Sequence, residues 1–395
     1  MKNYLTIGIH LTRKRLIKLI ILYFAVYTFY YILPMTAQAK YGIEVGSIVL
    51  VFFNFSAAFS LIFSCIFFRK IRKTRILYVW AILSVILILL LFLTTHLYDA
   101  YYVSSAIGFV FGIATWAFST KFIEETVIEE RGRIGGLVTS ITLLVAPMLI
   151  SMTRAFYGVY VFLSLLILLT PLMKIKDKHP DTNEKALILL FRTHWKEFLL
   201  YLLPWLILCI NNTTFIQIVN DHLVNHFYEF GPYSFILQYL SAGLGALCFG
   251  VLMDWLGRKV IIIFGFTMLG LAGCLSGLIP NLPFFLFFNV VSGLAWSPLL
   301  VLFLLVVWGE LAGNALSCVY LSLGLAVYHF TKGLGVLITP HLPIGAYEAA
   351  LFNTSLTLLS VLLLVYAPNL LPHDVKERMH FKLYLAQVKK RLQHD

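Results

Sequence analysis

The apolar residues of this chain occur in uninterrupted runs that are long enough to cross a membrane. A helix needs about 20 consecutive apolar residues to span the hydrocarbon core of a bilayer. The runs lack the alternating pattern of a transmembrane β-barrel, so we predict an all-α membrane protein with twelve spans. The predicted spans are Leu16–Ala37, Val45–Phe68, Ile76–Thr95, Tyr101–Ile123, Gly135–Met152, Phe156–Met173, Phe198–Asn220, Tyr233–Met253, Val260–Ile279, Pro283–Val307, Ala315–Thr339 and Ala350–Ala367.

Composition excludes several soluble classes of protein. Charged residues make up 12% of the 395 residues and hydrophobic residues 60%, whereas a soluble domain has roughly 25% charged residues. This argues against a cytosolic enzyme, a nucleic-acid-binding domain and a secreted disulfide scaffold. The five cysteines fall in apolar runs without metal-ligand spacing, and no nucleotide-binding or metalloprotease motif is present. We therefore expect no catalytic residues, no cofactor and no metal site.

A polar segment divides the predicted spans into two sets of six. The predicted domains are an N-terminal six-helix bundle (residues 1–173), a cytoplasmic linker (174–197), a C-terminal six-helix bundle (198–367) and a basic cytoplasmic tail (368–395). The tail mixes apolar and basic residues, which suits either a helix lying on the anionic inner leaflet or a solvated tail.

The basic residues indicate how the chain is oriented. Nearly all lysines and arginines lie in one of the two sets of loops that alternating spans create, together with both termini. Such residues mark the cytoplasmic face, so we predict a multi-pass protein of the cell membrane with both termini in the cytoplasm. The formal net charge of +12 is then a property of the inner face, and we expect the bilayer, not nucleic acid, as its partner.

The loop between the eighth and ninth spans carries a specific motif. Residues 250–259 read GVLMDWLGRK and place Gly250, Asp254, Gly257, Arg258 and Lys259 at fixed positions. Glycine permits close helix approach and a tight reversal, and the aspartate can cap the next helix or pair with an arginine. This run resembles the G-x-L-x-D-R-x-G-R-K loop of the major facilitator superfamily, with tryptophan where the first arginine usually stands.

Two further loops support the resemblance. The loop after the second span keeps Arg69 and Arg72 of the same motif but lacks its glycines and aspartate. The loop after the fourth span resembles the family's E-x(5)-R-G-R stretch through Glu124, Arg131 and Arg133. The resemblance implies that these loops gate the cytoplasmic face, and Glu310 is the retained second-half counterpart of the glutamate.

The resemblance also implies two pseudo-symmetric bundles around a central cavity, with a solute bound near the midplane and exposed to each side in turn. In the family, spans 1, 4, 7 and 10 line this cavity. The candidate binding residues on these spans are Tyr27, Trp116, Asn211, Asn212, Gln217 and Trp296, and the same spans also offer Tyr23, Tyr30, Tyr31, Thr115, Ser119, Thr213, Thr214, Ser292, Ser297 and Pro298. The alternative for the asparagines is hydrogen bonding between helices, and for the tryptophans it is packing.

Few charges fall inside the spans. Lys332 and His329 in span 11 are candidate partners of an anionic group, although Lys332 could snorkel to the interface and His329 could be packed; Arg154 is a further cation at the outer end of span 5. No Asp or Glu lies in the central part of a predicted span, which argues against proton-driven export. We predict a monomeric secondary active or facilitative transporter of a small organic solute, and Lys332 and Arg154 make an anion one possible class. The alternatives are an exporter of drugs or hydrophobic compounds, a non-transporting receptor and a lipid-handling protein.

Overall fold

The computed structural model describes residues 11–94, 96–152, 184–311 and 313–370, and helices account for most of them. Eleven of the twelve predicted spans correspond to helices in this part of the chain. The sixth predicted span, Arg154, the linker before Glu184 and the tail after Leu370 lie outside the described residues. Among the described helices, nine are long and apolar enough to cross a membrane, by length and composition.

The helices are numbered in chain order. The first half of the chain contributes α1 (Arg13–Tyr41), α2 (Ile43–Phe67), α3 (Lys73–Leu93), α4 (Leu97–Glu125) and α5 (Arg131–Met152). The second half contributes α6 (Glu184–Thr213), α7 (Phe215–His226), α8 (Gly231–Trp255), α9 (Arg258–Leu278), α10 (Leu282–Val301), α11 (Val307–Leu311), α12 (Gly313–Ile338) and α13 (Ala346–Tyr366).

Two of the predicted spans are interrupted helices. Span 7 is split between α6 and α7 at Thr214, and the Thr213 carbonyl that the break exposes accepts a hydrogen bond from the Thr339 hydroxyl (3.0 Å). Span 10 contains a π-helical turn, Leu302–Val306, between α10 and α11. Broken helices are tolerated at membrane depth where neighbouring groups satisfy the freed backbone.

Pro298 explains part of the irregularity in span 10. Proline has no N–H, so the carbonyl four residues earlier loses its helical partner. The hydroxyl of Ser297 donates to that Leu294 carbonyl at 2.8 Å. Further along the span, the indole N–H of Trp308 donates to the carbonyl of Phe303 at 2.5 Å, inside the π-helical turn. Side chains therefore stabilise the distortion.

The helix packing repeats from one half to the other. In the first half α2 packs on α4, α1 on α5 and α3 on α4; in the second half the equivalent pairs are α8 on α10, α6 on α12 and α9 on α10. The halves meet through α2 against α12 and α5 against α8. When each helix is replaced by its counterpart six spans away, the contact of α2 with α12 becomes the contact of α8 with α5. A pseudo-twofold arrangement of two bundles requires this exchange.

Small residues allow α5 and α8 to touch. A Cβ built on Gly250 would lie 2.8 Å from the Cα of Gly136 and 2.8 Å from the carbonyl oxygen of Gly132. A larger side chain would have to push the helices apart, because real Cβ atoms do not approach backbone so closely. Gly250 therefore provides the close approach that the motif predicts.

Candidate functional site

A cavity lies between the two halves. The space that its walls enclose is about 530 Å³, a figure that includes the part open to solvent. Its lining includes residues of α5 and α12, two of the helices through which the halves meet. Its lining residues come from α1, α4, α5, α10, the π-helical turn and α12: Tyr23, Tyr27, Tyr30, Phe111, Thr115, Thr139, Thr142, Leu143, Leu300, Leu304, Leu325, Tyr328 and His329.

Tyrosines of α1 form one wall of the cavity. The rings of Tyr23 and Tyr27 lie 4.2 Å apart between centroids, and Thr139 of α5 donates a hydrogen bond to the Tyr23 hydroxyl at 3.4 Å. Tyr30 packs on Phe111 with a centroid distance of 5.6 Å. The wall therefore combines aromatic faces with hydroxyl groups, which suits a solute with an apolar body and a few polar atoms.

His329 joins the cavity wall to the interface between the halves. Its side chain is buried, and Nδ1 lies 3.1 Å from Oδ1 of Asn54 on α2. The Asn54 amide nitrogen donates to the Leu50 carbonyl at 2.8 Å, which orients the amide. Because an amide oxygen only accepts, Nδ1 of His329 carries the proton and Nε2 of the neutral ring is an acceptor. The histidine is both packed and part of the cavity wall.

Lys332 lies one helical turn beyond His329. Its Nζ is 5.0 Å from the ring centroid of Tyr30 and 5.9 Å from that of Tyr328, two rings that line the cavity. Both distances fit cation–π contacts. Within the described part of the chain, no carboxylate forms an ion pair with Lys332. Lys332 itself is not among the lining residues, so its charge lies against two rings of the cavity wall and not in the wall.

The structure places both predicted tryptophans away from this cavity wall. Trp116 is fully buried, with Nζ of Lys73 over its ring at 4.6 Å. Trp296 lies against Trp205, at a centroid distance of 6.5 Å. The neighbour Thr115 lines the cavity instead. Adjacent helical residues point about 100° apart, so Thr115 and Trp116 face different neighbours although they are adjacent in α4.

The polar residues of span 7 also lie away from the cavity. Asn211 is buried, and its amide nitrogen donates to Oδ1 of Asn353 (2.7 Å) and Oγ1 of Thr357 (3.1 Å) on α13. This is the interhelical bonding that the sequence left as the alternative. Asn212 is half-buried, and the exposed Gln217 donates to Asp221 at 2.7 Å.

We predict that Asn211→Ala lowers stability and leaves solute binding intact. The substitution leaves Asn353 and Thr357 without their shared donor, which should cost about 1 kcal/mol in a membrane helix bundle. Thermal unfolding in detergent should show a lower Tm than for wild type, with Asn212→Ala as the matched control. An unchanged Tm together with lost solute binding would instead assign Asn211 to the binding site.

A second group of residues crosses between the halves at the end of α8. The carboxylate of Asp254 accepts hydrogen bonds from the backbone N–H of Gly132 (3.1 Å) and from the backbone N–H and Nε of Arg133 (3.0 and 3.1 Å). It also pairs with Nη1 of Arg258 at 2.9 Å. Since α5 begins at Arg131, the carboxylate of the second half caps a helix of the first half.

Arg258 and Glu310 extend this contact. Arg258 is fully buried and donates to the carbonyls of Met253 (2.8 Å) and Ile128 (2.7 Å), the latter in the first half. Glu310 pairs with Arg258 at 3.3 Å and with Arg131 at 3.8 Å. Burial lowers the pKa of the Arg131 guanidinium, and the charge of Glu310 acts in the opposite direction. We call Arg131, Arg133, Asp254, Arg258 and Glu310 the latch, and the end of the molecule that carries them the latch face.

The other predicted gating residues lie outside the latch. Gly257 has a φ of +100° at the reversal before α9, a conformation that favours glycine. Lys259 donates to the carbonyls of Val365 and Ala367 (2.7 and 2.6 Å), so it ties the end of α13 within its own half. In the first half, the Arg69 carbonyl accepts a hydrogen bond from Lys73 (2.9 Å). Arg72 and Glu124 are exposed.

Comparison with known proteins supports the fold. No family model matches the chain. The crystal structure of the human organic anion transporter MFSD10 (TETRAN) aligns with a TM-score of 0.66 and 12% sequence identity, over 89% of this chain and 100% of that one. That of a bacterial homologue of the iron transporter ferroportin, in the outward-facing state, aligns with a TM-score of 0.65 and 11% identity, over 89% of this chain and 98% of that one.

These comparisons define the class of the protein by its architecture. The chain has the fold of the major facilitator transporters, as its loop motif predicts, and is an all-α multi-pass membrane protein.

Proposed function

We propose that the chain is a secondary transporter that moves a small organic anion across the membrane by alternating access. The observation that carries the proposal is the pairing of a cavity between the halves with a charged latch that joins the halves at one end of the described helices. Alternating access needs both features, because one face must be sealed while the site communicates with the other.

The latch face is the cytoplasmic face in this proposal. It carries the basic loops around Arg72, Arg131 and Arg258, and the positive-inside rule favours that side for the cytoplasm. The structure then represents a conformation closed toward the cytoplasm. Similarity to an outward-facing transporter structure supports the same assignment.

Lys332 supports an anion as the substrate class. A positive charge within a membrane protein is costly and usually serves an ion or substrate pathway. Lys332 rests on cavity-lining rings without a carboxylate partner in the described residues, so a substrate carboxylate or sulfonate could pair with it. The tyrosine wall would hold an apolar or aromatic body. One of the structures that this chain resembles is that of an organic anion transporter, which supports this class.

The experiment is counterflow in proteoliposomes that contain the purified full-length chain. Aromatic carboxylates and sulfonates, neutral sugars and hydrophobic cations are each tested as radiolabelled solutes against their unlabelled forms. We expect accumulation of one or more anions and none of the neutral or cationic solutes. Counterflow of hydrophobic cations alone would identify an exporter of hydrophobic compounds, which the leucines and tyrosines of the wall would also accommodate.

A thermal-shift screen of the same solutes separates transport from binding. A ligand that binds the folded state raises the apparent Tm, because it stabilises that state by RT ln(1 + [L]/Kd). A solute that raises Tm without showing counterflow would indicate a transporter-like receptor and contradict the proposal. Scrambling of labelled lipids in proteoliposomes that contain the protein but no solute would indicate the lipid-handling alternative.

A further inference from the structure

Two cysteines from opposite halves are in contact near the latch face. Sγ of Cys65 lies 3.4 Å from Sγ of Cys318. Cys65 is in the last turn of α2, and Cys318 follows the start of α12 by five residues. Both sulfurs are free thiols in this structure. We propose that this pair is a redox-modification site, and that its oxidation to a disulfide locks the two halves together.

The position of the pair gives the modification a mechanical effect. The helices α2 and α12 form one of the two contacts between the halves, and Asn54 with His329 lies further along the same interface. Opening of the latch face requires these helix ends to separate. A disulfide holds its two sulfurs about 2.05 Å apart, so it prevents the separation. The lock rests on the alternating access proposed above, whereas formation of the disulfide does not.

The surroundings of the pair favour its reaction. Cys65 is partly exposed, while Cys318 is buried beside it, so a small oxidant enters the pair from the Cys65 side. The positive charges of Arg69 and Lys73 act on the Cys318 sulfur, and cations near a thiol favour its reactive thiolate form. Disulfides that form inside reducing compartments are usually transient and redox-sensing.

The proposed oxidant is a peroxide. The Cys318 thiolate, which accepts the S–H of Cys65, attacks one oxygen of hydrogen peroxide; the O–O bond breaks, and a sulfenic acid and hydroxide form. The Cys65 sulfur then attacks the sulfenic sulfur of Cys318, and hydroxide leaves as water with the thiol proton of Cys65. In total, two thiols and one peroxide give one disulfide and two waters. A small dithiol or glutathione returns the pair to its thiol form.

The first experiment detects the bond. Reconstituted full-length protein is treated with hydrogen peroxide, its remaining thiols are alkylated, and its peptides are analysed by mass spectrometry. We expect a peptide pair linked through Cys65 and Cys318 that disappears after treatment with dithiothreitol. Cys65→Ser and Cys318→Ser should abolish it, and Cys248→Ser, which removes an exposed cysteine, should retain it. Separate alkylation of both cysteines after peroxide treatment would overturn the proposal.

The second experiment detects the lock. Hydrogen exchange is measured for the segment 131–134, whose amides Asp254 caps, in oxidised and reduced wild-type protein. We expect at least a several-fold slower exchange after oxidation, reversed by dithiothreitol and absent in Cys65→Ser. A linked peptide without slower exchange would show that the disulfide forms but does not hold the halves together. Neither experiment uses a transported solute, so a negative result here is distinct from failure of the proposed function.

Discussion

Asp254→Asn should open the latch and reduce transport at least tenfold. The Asp254 carboxylate accepts from Gly132, from both the backbone and side chain of Arg133, and from Arg258, with its side chain fully buried. Asparagine is nearly isosteric, but it removes the charge and turns an NH₂ group toward one set of donors. Breaking a buried ion pair by removing one partner costs about 3–5 kcal/mol. A loss of that size, borne by the closed state alone, shifts the equilibrium between closed and open latch by more than 100-fold.

Two measurements check this prediction. Hydrogen exchange of the segment 131–134 should become faster, because its amides lose their cap. Counterflow of the solute identified above should fall in the same variant. The matched control is Asp99→Asn, an exposed aspartate in the first turn of α4, which should leave both readouts at wild-type values. If exchange in Asp254→Asn remained as slow as in wild type, the latch would not depend on this carboxylate.

Lys332→Gln should raise the KM for uptake of the anion about tenfold or more while leaving the fold intact. Glutamine keeps much of the length of lysine but has no charge, so a substrate carboxylate loses its ionic partner. Charge-assisted hydrogen bonds contribute about 1.5–3 kcal/mol, which corresponds to a rise in KM of roughly 10- to 150-fold. Lys332 contacts the rings of Tyr30 and Tyr328 from a partly exposed position, so its replacement should lower Tm only slightly.

The controls for Lys332 separate charge from shape. Lys332→Arg retains the positive charge and the contact with the rings, and should keep most of the uptake. Lys259→Gln removes a lysine that binds carbonyls at the end of α13, and should leave the KM unchanged. Equal uptake by Lys332→Gln and wild type would mean that the lysine does not contact the solute and that another group holds its charge.

The helices could be predicted from the sequence more directly than the contacts of the site. Apolar runs of fixed length mark spans directly, and the spacing of Gly250, Asp254, Gly257 and Arg258 encodes a helix end, a cap and a reversal, so local physics determines the motif. The contacts of Asp254 with Arg133 and of Arg258 with Ile128 depend on where α5 begins relative to α8. Only the structure shows these contacts.

The choice of cavity residues was harder because membrane helices carry little periodicity. Lipid and packed helix neighbours are both apolar, so neither face of a span is marked by polarity. The structure brings Tyr23, Tyr27, Tyr30, Thr115 and His329 to the cavity wall, whereas Trp116, Trp296 and Asn211 contact other side chains. Polar residues in lipid need a partner, and for Asn211 that partner is α13, a contact that sequence spacing does not reveal.

The π-helical turn of span 10 links the two functional regions mechanically. Leu304 belongs to the cavity wall and Glu310, six residues later, to the latch, with the turn Leu302–Val306 and Trp308 between them. A π-helical turn holds one more residue than an α-helical turn, so converting one into the other rotates the following segment by about 100°. A solute that displaces Leu304 would therefore rotate the segment that carries Glu310, and so break the ion pairs of Glu310 in the latch.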